Sequence, residues 1–324
     1  MGESKKMSQT DLSVIIPTYN RKHDLLRCLS HFQDQSTEAR YEVLVVDDGS
    51  DDGTESLILE QRKSFRFPFS YHKNLGKGPA AARNFGIDMA QGEIILFIGD
   101  DIFMGSSRFL DYHVKGHQGE YPEPEHALLG YTTWSPDLPI SPYMRWLEGG
   151  GPQFNYLGLE RGHLTDFWHF YTCNISLKRS FIGGDRFDER FPYAAFEDVE
   201  FGYRLQMRGL KLVFLNEAIA HHHHLTTLAS SRQRAYLAGK SAAVLERIHP
   251  GLLERTVKRE RTVKRRIMHL LYRLTLNPLT IPGWQLLARL SENRFVFKPA
   301  FSCVYDYHYQ RGYKDQASSR ERPL

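Results

Sequence analysis

The sequence has few cysteines and lacks a long apolar run. Its three cysteines are odd in number and widely separated, so they form neither a disulfide framework nor a zinc site. Such cysteine usage is typical of a reducing compartment. No stretch approaches the ~18 apolar residues that a membrane-spanning helix needs. The longest candidate, 267–290, is interrupted by polar residues and two prolines.

The sequence also lacks a strong charge imbalance. Its net charge of +4 is too small to indicate a nucleic-acid partner, and we expect none. Residues 1–10 contain no apolar segment, so we expect a flexible tail there and no signal peptide. These features predict a cytoplasmic protein and leave open a peripheral position at the inner face of the membrane.

Short apolar runs alternate with amphipathic segments over the first hundred residues. We predict strands at 12–16, 41–46, 67–71 and 94–98, and helices at 21–32, 54–61 and 79–89. Later we predict a helix at 197–208 and a strand at 210–220. The alternation indicates an α/β fold with a doubly wound, mostly parallel sheet and flanking helices. We place this domain at 11–224 and a helical, basic extension at 225–324.

Two segments have a distinctive composition. Residues 122–170 are rich in proline, glycine and aromatics, which we interpret as the lining of a pocket rather than plain packing of an irregular region. Residues 254–259 are repeated identically at 260–265, and 255–273 contains eight Lys or Arg against one Glu. A basic amphipathic helix at 254–274 can lie on an anionic membrane. The alternative is a solvated face of a helix that packs on the core.

Acidic pairs closely follow two of the predicted strands. Asp47 and Asp48 come directly after the second strand, and Asp100 and Asp101 come after the fourth, separated from it by Gly99. Open α/β sheets bind ligands at the carboxyl ends of their strands. Carboxylates at that edge suit a hard divalent cation and a phosphorylated ligand.

Five segments together resemble the family 2 glycosyltransferases, which have the GT-A fold. The resemblance covers about 12–224, and the matching segments occur in the family's order. They are Ser13–Asn20, Val45–Thr54, Asn74–Gly76 with Ala82–Gly86, Gly92–Asp101 and Phe196–Arg204. By this resemblance, 11–101 is the nucleotide-binding half and 102–224 the acceptor-binding half.

The resemblance implies roles in binding the nucleotide. Tyr19 would stack on the base, within a turn that also includes Pro17 and Asn20, and Asp48 would accept a hydrogen bond from the base. Arg83 would lie near the diphosphate. Asp48 could instead cap the next helix, and Arg83 could be an exposed helical charge.

The resemblance also implies a metal site that departs from the family's pattern. Gly99 stands where the first aspartate of the metal motif is usual, and Asp101 would bind the metal directly. Asp100 takes the middle position and would contribute to nucleotide binding. A histidine after the 210–220 strand would join Asp101 at the metal. The match favours His222 without excluding His221 or His224, and strand alternation would put His222 and His224 on one face. Either Mn²⁺ or Mg²⁺ fits this mixed set.

The catalytic residues implied are Asp198, as general base, and Glu197, which would position the acceptor or Asp198. Acids are also common in the first turn of a helix for stability alone. We therefore expect an inverting, metal-dependent glycosyltransferase that uses a nucleotide-diphosphate sugar, with a UDP-sugar favoured and dTDP or GDP open. The acceptor would be a glycan, a lipid-linked sugar or a small molecule. The alternatives are a catalytically silent binding module in a polysaccharide assembly and a sugar-nucleotide nucleotidyltransferase.

Overall fold

The structure, a computed structural model of the 324-residue chain, describes residues 10–74, 76–191, 193–253, 275–293 and 298–319. These residues form two compact units. The first contains the described residues up to 138 together with 156–189 and 197–224, and the second contains 139–155, 190–196 and the described residues from 225 onward. The helix predicted at 254–274 and most of the expected 1–10 tail lie outside the described residues.

The first unit is built on one sheet, which contains nine strands among the described residues. The strands are β1 Leu12–Thr18, β2 Tyr41–Asp47, β3 Phe69–Lys73, β4 Ile94–Ile98, β5 Ile102–Met104, β6 His126–Trp134, β7 Leu164–Thr165, β8 Asn174–Lys178 and β9 Lys211–His222. Their order is β3-β2-β1-β4-β8-β6-β9-β5, and β7 pairs with β9. Six strands point the same way, while β5, β7 and β8 run opposite.

Helices flank the sheet in the first unit and dominate the second. The first unit contains α1 Lys22–Ser30, α2 Thr54–Gln61, α3 Pro79–Met89, α4 Phe109–Lys115, α6 Arg179–Ile182 and α7 Glu197–Met207. The second contains α5 Pro142–Glu148, α8 Leu228–Ile248, α9 Ile281–Asn293 and α10 Lys298–Ser318. Every described helix is too short or too polar to traverse a bilayer.

The core of the first unit explains why its strands are continuous apolar runs. Val14, Val45 and Leu96 are fully buried at the centre of the sheet, which helices cover. A parallel sheet buried on both faces favours such runs over polar alternation. The predicted fold class is therefore confirmed.

Several details differ from the sequence-based expectations. Pro17 lies within β1 instead of ending it, and β3 begins just after Pro68. The predicted irregular segment 122–170 contains the nine-residue strand β6, which pairs with β8 and β9. Strand β9 extends through His222, so His221 and His222 belong to the sheet.

The second unit is held by unusually close packing of two helices. A side-chain carbon added at Gly239 on α8 would lie 1.9 Å from the carbonyl oxygen of Tyr309 on α10. One added at Gly312 would lie 1.9 Å from the carbonyl oxygen of Tyr236. Only glycine permits this approach, so the two positions fix how α8 and α10 meet.

Candidate active site at the carboxyl edge of the sheet

The predicted site residues of the first unit lie largely at one edge of its sheet. Strands β1, β2, β4 and β9 end there at Thr18, Asp47, Ile98 and His222, because all four point the same way. Asp100 and Asp101 follow β4 after a single residue, Gly99. The edge therefore gathers carboxylates and imidazoles from segments more than a hundred residues apart.

The two aspartates after β4 are both buried and share one arginine. Asp100 accepts a hydrogen bond of 2.8 Å from the Thr18 hydroxyl and pairs with Arg21 at 3.1 Å. Asp101 is also paired with Arg21, through Oδ2. Arg21, which immediately precedes α1, was not among the predicted site residues.

Two histidines from β9 and the loop after it complete a cluster around Asp101. His222 Nε2 lies 3.2 Å from Asp101 Oδ2, and His224 Nδ1 lies 3.6 Å from the same oxygen. One ligand atom from each of the three residues falls within 4.8 Å of the others. Because carboxylate and imidazole together suit Mn²⁺ and related cations, the donor set fits a divalent metal. Among the described residues this is the cluster with that property.

Packing holds the two imidazoles in place. The rings of His222 and His224 stack with centroids 5.6 Å apart, and Trp134 at the end of β6 stacks on His222 at 5.3 Å. The peptide N–H of His223 donates to the carbonyl oxygen of Asp101 at 2.8 Å. The alternation expected for an extended segment thus brings His222 and His224 to one side, and both belong to the cluster.

The electrostatics of the aspartate pair are asymmetric. Burial raises the pKa of Asp100 to about 7, and the adjacent charge of Asp101 raises it further, against the opposing effects of Arg21 and Thr18. Burial alone would also raise the pKa of Asp101, but His222 and Arg21 hold it well below its usual range. Asp101 is therefore the ionised member and the better metal ligand.

The turn after β2 is a tightly bonded structure. Asp48 accepts hydrogen bonds from the backbone N–H groups of Lys77 at 2.9 Å and Gly78 at 2.8 Å, and from Asn74 at 3.3 Å. Burial raises its pKa, although these hydrogen bonds oppose the shift. Asp48 therefore holds Asn74, Lys77 and Gly78 in place, a role that the sequence did not indicate.

The turn after β1 is joined to the same region. Asn20 donates its backbone N–H to the Ser50 hydroxyl at 2.8 Å and accepts from the Asp51 N–H at 2.9 Å. Its φ of 52° is left-handed, which asparagine tolerates better than most residues. Pro17 is partly exposed. Tyr19 is 57% exposed, so the tyrosine ring is accessible to a ligand.

The second acidic pair opens helix α7. Glu197 is buried and pairs with Arg83 of α3 at 2.9 Å, while Asp198 accepts from the Val199 N–H at 2.8 Å. Burial raises the pKa of Asp198 to about 7, and the neighbouring Glu197 adds to the shift. Arg83 is itself buried and stacks over Phe187, so in this structure it compensates Glu197. It is not the exposed helical charge considered as the alternative.

Cys173 lies near one carboxylate of each acidic pair. Burial raises the pKa of Cys173 to about 12, and the charges of Asp198 and Asp101 both contribute to the increase. Both carboxylates therefore act on one side chain just before β8. The edge of the sheet thus combines a candidate metal-binding cluster, an accessible aromatic ring and a second carboxylate with a pKa near neutrality.

Comparison with known proteins defines the class. A mannosyltransferase from Pyrobaculum calidifontis, solved with GDP-Man and Mn²⁺, aligns with a TM-score of 0.59 at 16% identity, covering 98% of this chain and 89% of that one. The S. aureus TarS fragment solved with UDP-GlcNAc aligns with a TM-score of 0.53 at 16% identity, covering 96% and 93%. The chain therefore has the GT-A glycosyltransferase fold.

Sequence comparisons find relatives of the same kind. The model of glycosyl transferase family 2 matches residues 13–136 of this chain. Validoxylamine A glucosyltransferase of Streptomyces hygroscopicus is 29% identical over 276 residues, covering 75% of this chain and 62% of the relative. Chondroitin synthase of Escherichia coli is 25% identical over 265 residues, covering 74% and 38%. The chain thus spans about three fifths of the length of the first of these relatives.

Proposed function

We propose that this chain is an inverting, metal-dependent glycosyltransferase that moves a sugar from a nucleotide-diphosphate sugar to an acceptor hydroxyl. The observation that carries the proposal is the convergence of Asp101, His222 and His224 at the edge that also bears Asp48 and Asp100. A metal site beside the turns of a nucleotide-binding fold suits a diphosphate ligand. UDP is the nucleotide we favour, and dTDP and GDP are the alternatives to test.

Asp198 has the properties of the general base. Its pKa of about 7 makes it a stronger base than an ordinary aspartate, while leaving much of it ionised near neutral pH. It would take the proton of the acceptor hydroxyl as the oxygen attacks the anomeric carbon and the bond to the diphosphate breaks. Glu197, compensated by Arg83, would keep Asp198 in place and raise its basicity.

Asp101, His222 and His224 would hold a divalent cation. Such a cation, Mn²⁺ or Mg²⁺, offsets negative charge on the departing diphosphate when it is bound. Tyr19 would stack on the nucleobase, and Asp48, Asn20 and Pro17 would shape the turns around it. Asp48 would accept a hydrogen bond from the base through a carboxylate lone pair that its contacts with Asn74, Lys77 and Gly78 do not use.

The acceptor would be a glycan, a lipid-linked sugar or a small molecule. The basic sequence at 254–274 supports peripheral contact with an anionic membrane, because its Lys and Arg residues outnumber acids by eight to one between 255 and 273. Such contact would place the enzyme at the inner face of the membrane, near a lipid-linked acceptor.

The first experiment is calorimetric titration with UDP, dTDP, GDP and ADP, each with and without Mn²⁺. We expect one nucleotide to bind, and to bind more tightly with the metal. Asp101→Asn should remove the metal-dependent part, and Asp137→Asn, at an exposed carboxylate of the same unit, is the matched control. If none of the four nucleotides binds, the proposal is wrong and a silent binding module becomes the better interpretation.

A further inference from the structure

Helix α9 and the turn before it expose a cluster of leucines. Leu279 is 92% exposed, and Leu286, Leu287 and Leu290 are 59%, 43% and 52% exposed. Elsewhere in the described part of the chain, the large exposed apolar side chains are spread between residues 19 and 225. Scattered exposed leucines need no explanation, but a cluster marks an interaction surface.

The exposed leucines occupy one face of α9. At ~100° per residue, Pro282, Leu286, Leu290, Gly283 and Leu287 fall within an arc of about 140°. All five are exposed and uncharged. The opposite face carries Ile281, Ala288 and Ser291, which are buried within the second unit. The helix is therefore anchored on one side and presents a wide apolar face on the other.

Charge decides between the kinds of partner. Arg289 is exposed at the margin of the apolar arc, and the sequence that precedes this helix is the basic stretch 255–273. A basic sequence that precedes an exposed apolar helix in the chain matches an anionic lipid surface, which offers phosphates outside and hydrocarbon beneath. A protein partner would match the apolar arc alone, without accounting for the adjoining positive charge.

We infer that the outward face of α9 inserts Leu286, Leu287 and Leu290 into the headgroup boundary of an anionic membrane, with Leu279 at its margin. This inference rests on the membrane contact proposed above and adds to it an apolar contact surface on α9. The basic sequence gives the long-range, salt-sensitive attraction, while the leucines give the short-range binding that salt does not screen. Neither half requires a membrane-spanning helix.

The test is co-sedimentation of the full chain with phosphatidylcholine vesicles, with and without phosphatidylglycerol. The variant carries Leu286→Gln, Leu287→Gln and Leu290→Gln. Its control carries Leu157→Gln and Leu164→Gln, which replace leucines of the first unit that are 67% and 65% exposed. We expect the variant to bind anionic vesicles about 30-fold more weakly than the wild type. The loss is limited because each leucine is only partly exposed, so only that part of its apolar surface can become buried on binding. The control should bind as the wild type does.

Other outcomes identify which part of the reasoning fails. If the wild type binds anionic vesicles and the triple variant binds equally well, the inference is wrong and the basic sequence acts alone. If the wild type binds no vesicle, both the inference and the proposed membrane contact fail. If light scattering shows a dimer that the triple variant abolishes, the face binds a second copy instead. Nucleotide binding, measured separately, reports on the proposed activity independently of all three.

Discussion

Arg21 is the residue whose replacement tests the candidate metal site most directly. Its guanidinium contacts Asp100 at 3.1 Å and also pairs with Asp101 and His224, two of the three candidate metal ligands. A divalent cation held by those ligands would lie close to this positive charge. We therefore expect Arg21→Gln to bind Mn²⁺ more tightly than the wild type does.

The size of the effect follows from the charges involved. A divalent cation ~4 Å from one positive charge is repelled by about 8 kcal/mol at an effective dielectric constant of ~20, twice the value for two unit charges. The Arg21 side chain is 27% exposed, so it can turn toward solvent when a metal binds and so lower the repulsion. A remaining repulsion of roughly 1.4 to 3 kcal/mol, once removed, corresponds to an affinity gain of about 10- to 100-fold.

The assay is titration of the free Mn²⁺ signal by electron paramagnetic resonance, without nucleotide. Arg27→Gln is the matched control, because Arg27 carries the same charge in the same region but contacts Asp137 and His223. It should change Mn²⁺ affinity much less than Arg21→Gln does. Unchanged or weaker Mn²⁺ binding by Arg21→Gln would refute the reasoning and would mean that Arg21 supports the site instead of competing for it.

Four further predictions concern the base and the packing. Asp198→Asn should lower turnover by about 10²- to 10⁴-fold while nucleotide affinity stays within a few-fold, as single-turnover kinetics and calorimetry would show. Wild-type turnover should rise with pH through about 7, where Asp198 ionises, and a flat profile would argue against it as base. Because the pKa of Asp198 is raised on folding, the protonated carboxyl stabilises the fold, and this contribution is lost as pH rises through about 7. Asp198→Asn should therefore raise Tm more at about pH 8 than at about pH 5. Gly239→Ala should cost several kcal/mol of stability in thermal melts, whereas Gly184→Ala, with no atom within 4 Å, should not.

The strands and the edge that they form could be predicted from the sequence because a buried strand needs apolar residues, which are visible in the local composition. The run at Ile94–Ile98 is fully apolar, and the aspartates follow it after Gly99. Once the parallel order is assumed, the side chains after β1, β2, β4 and β9 must meet at one edge. The alternation of an extended chain likewise placed His222 and His224 together, although the sequence did not show that both would join Asp101.

Contacts between distant residues could not be predicted in this way. Arg21 has no local feature that separates it from Arg27, and only the fold brings it to Asp101, 80 residues away. Arg83 lies 114 residues from Glu197, so their ion pair has no local signal either. The division into units was equally hidden, because residues 139–155 and 190–196 pack within the second unit although they interrupt the predicted 11–224 domain.

The two acidic pairs follow the same electrostatic arrangement, and the difference between them favours Asp198 as the base. In each pair an arginine compensates one carboxylate, Arg21 for Asp101 and Arg83 for Glu197, and burial raises the pKa of the other to about 7. Asp100, however, is bonded to the side chains of Thr18 and Arg21, whereas the hydrogen bonds of Asp198 come from backbone N–H groups of Val199 and Thr172. Backbone donors leave a carboxylate oxygen with capacity for an incoming hydroxyl. Asp198 can therefore accept a proton without breaking an ion pair, and Asp100 cannot.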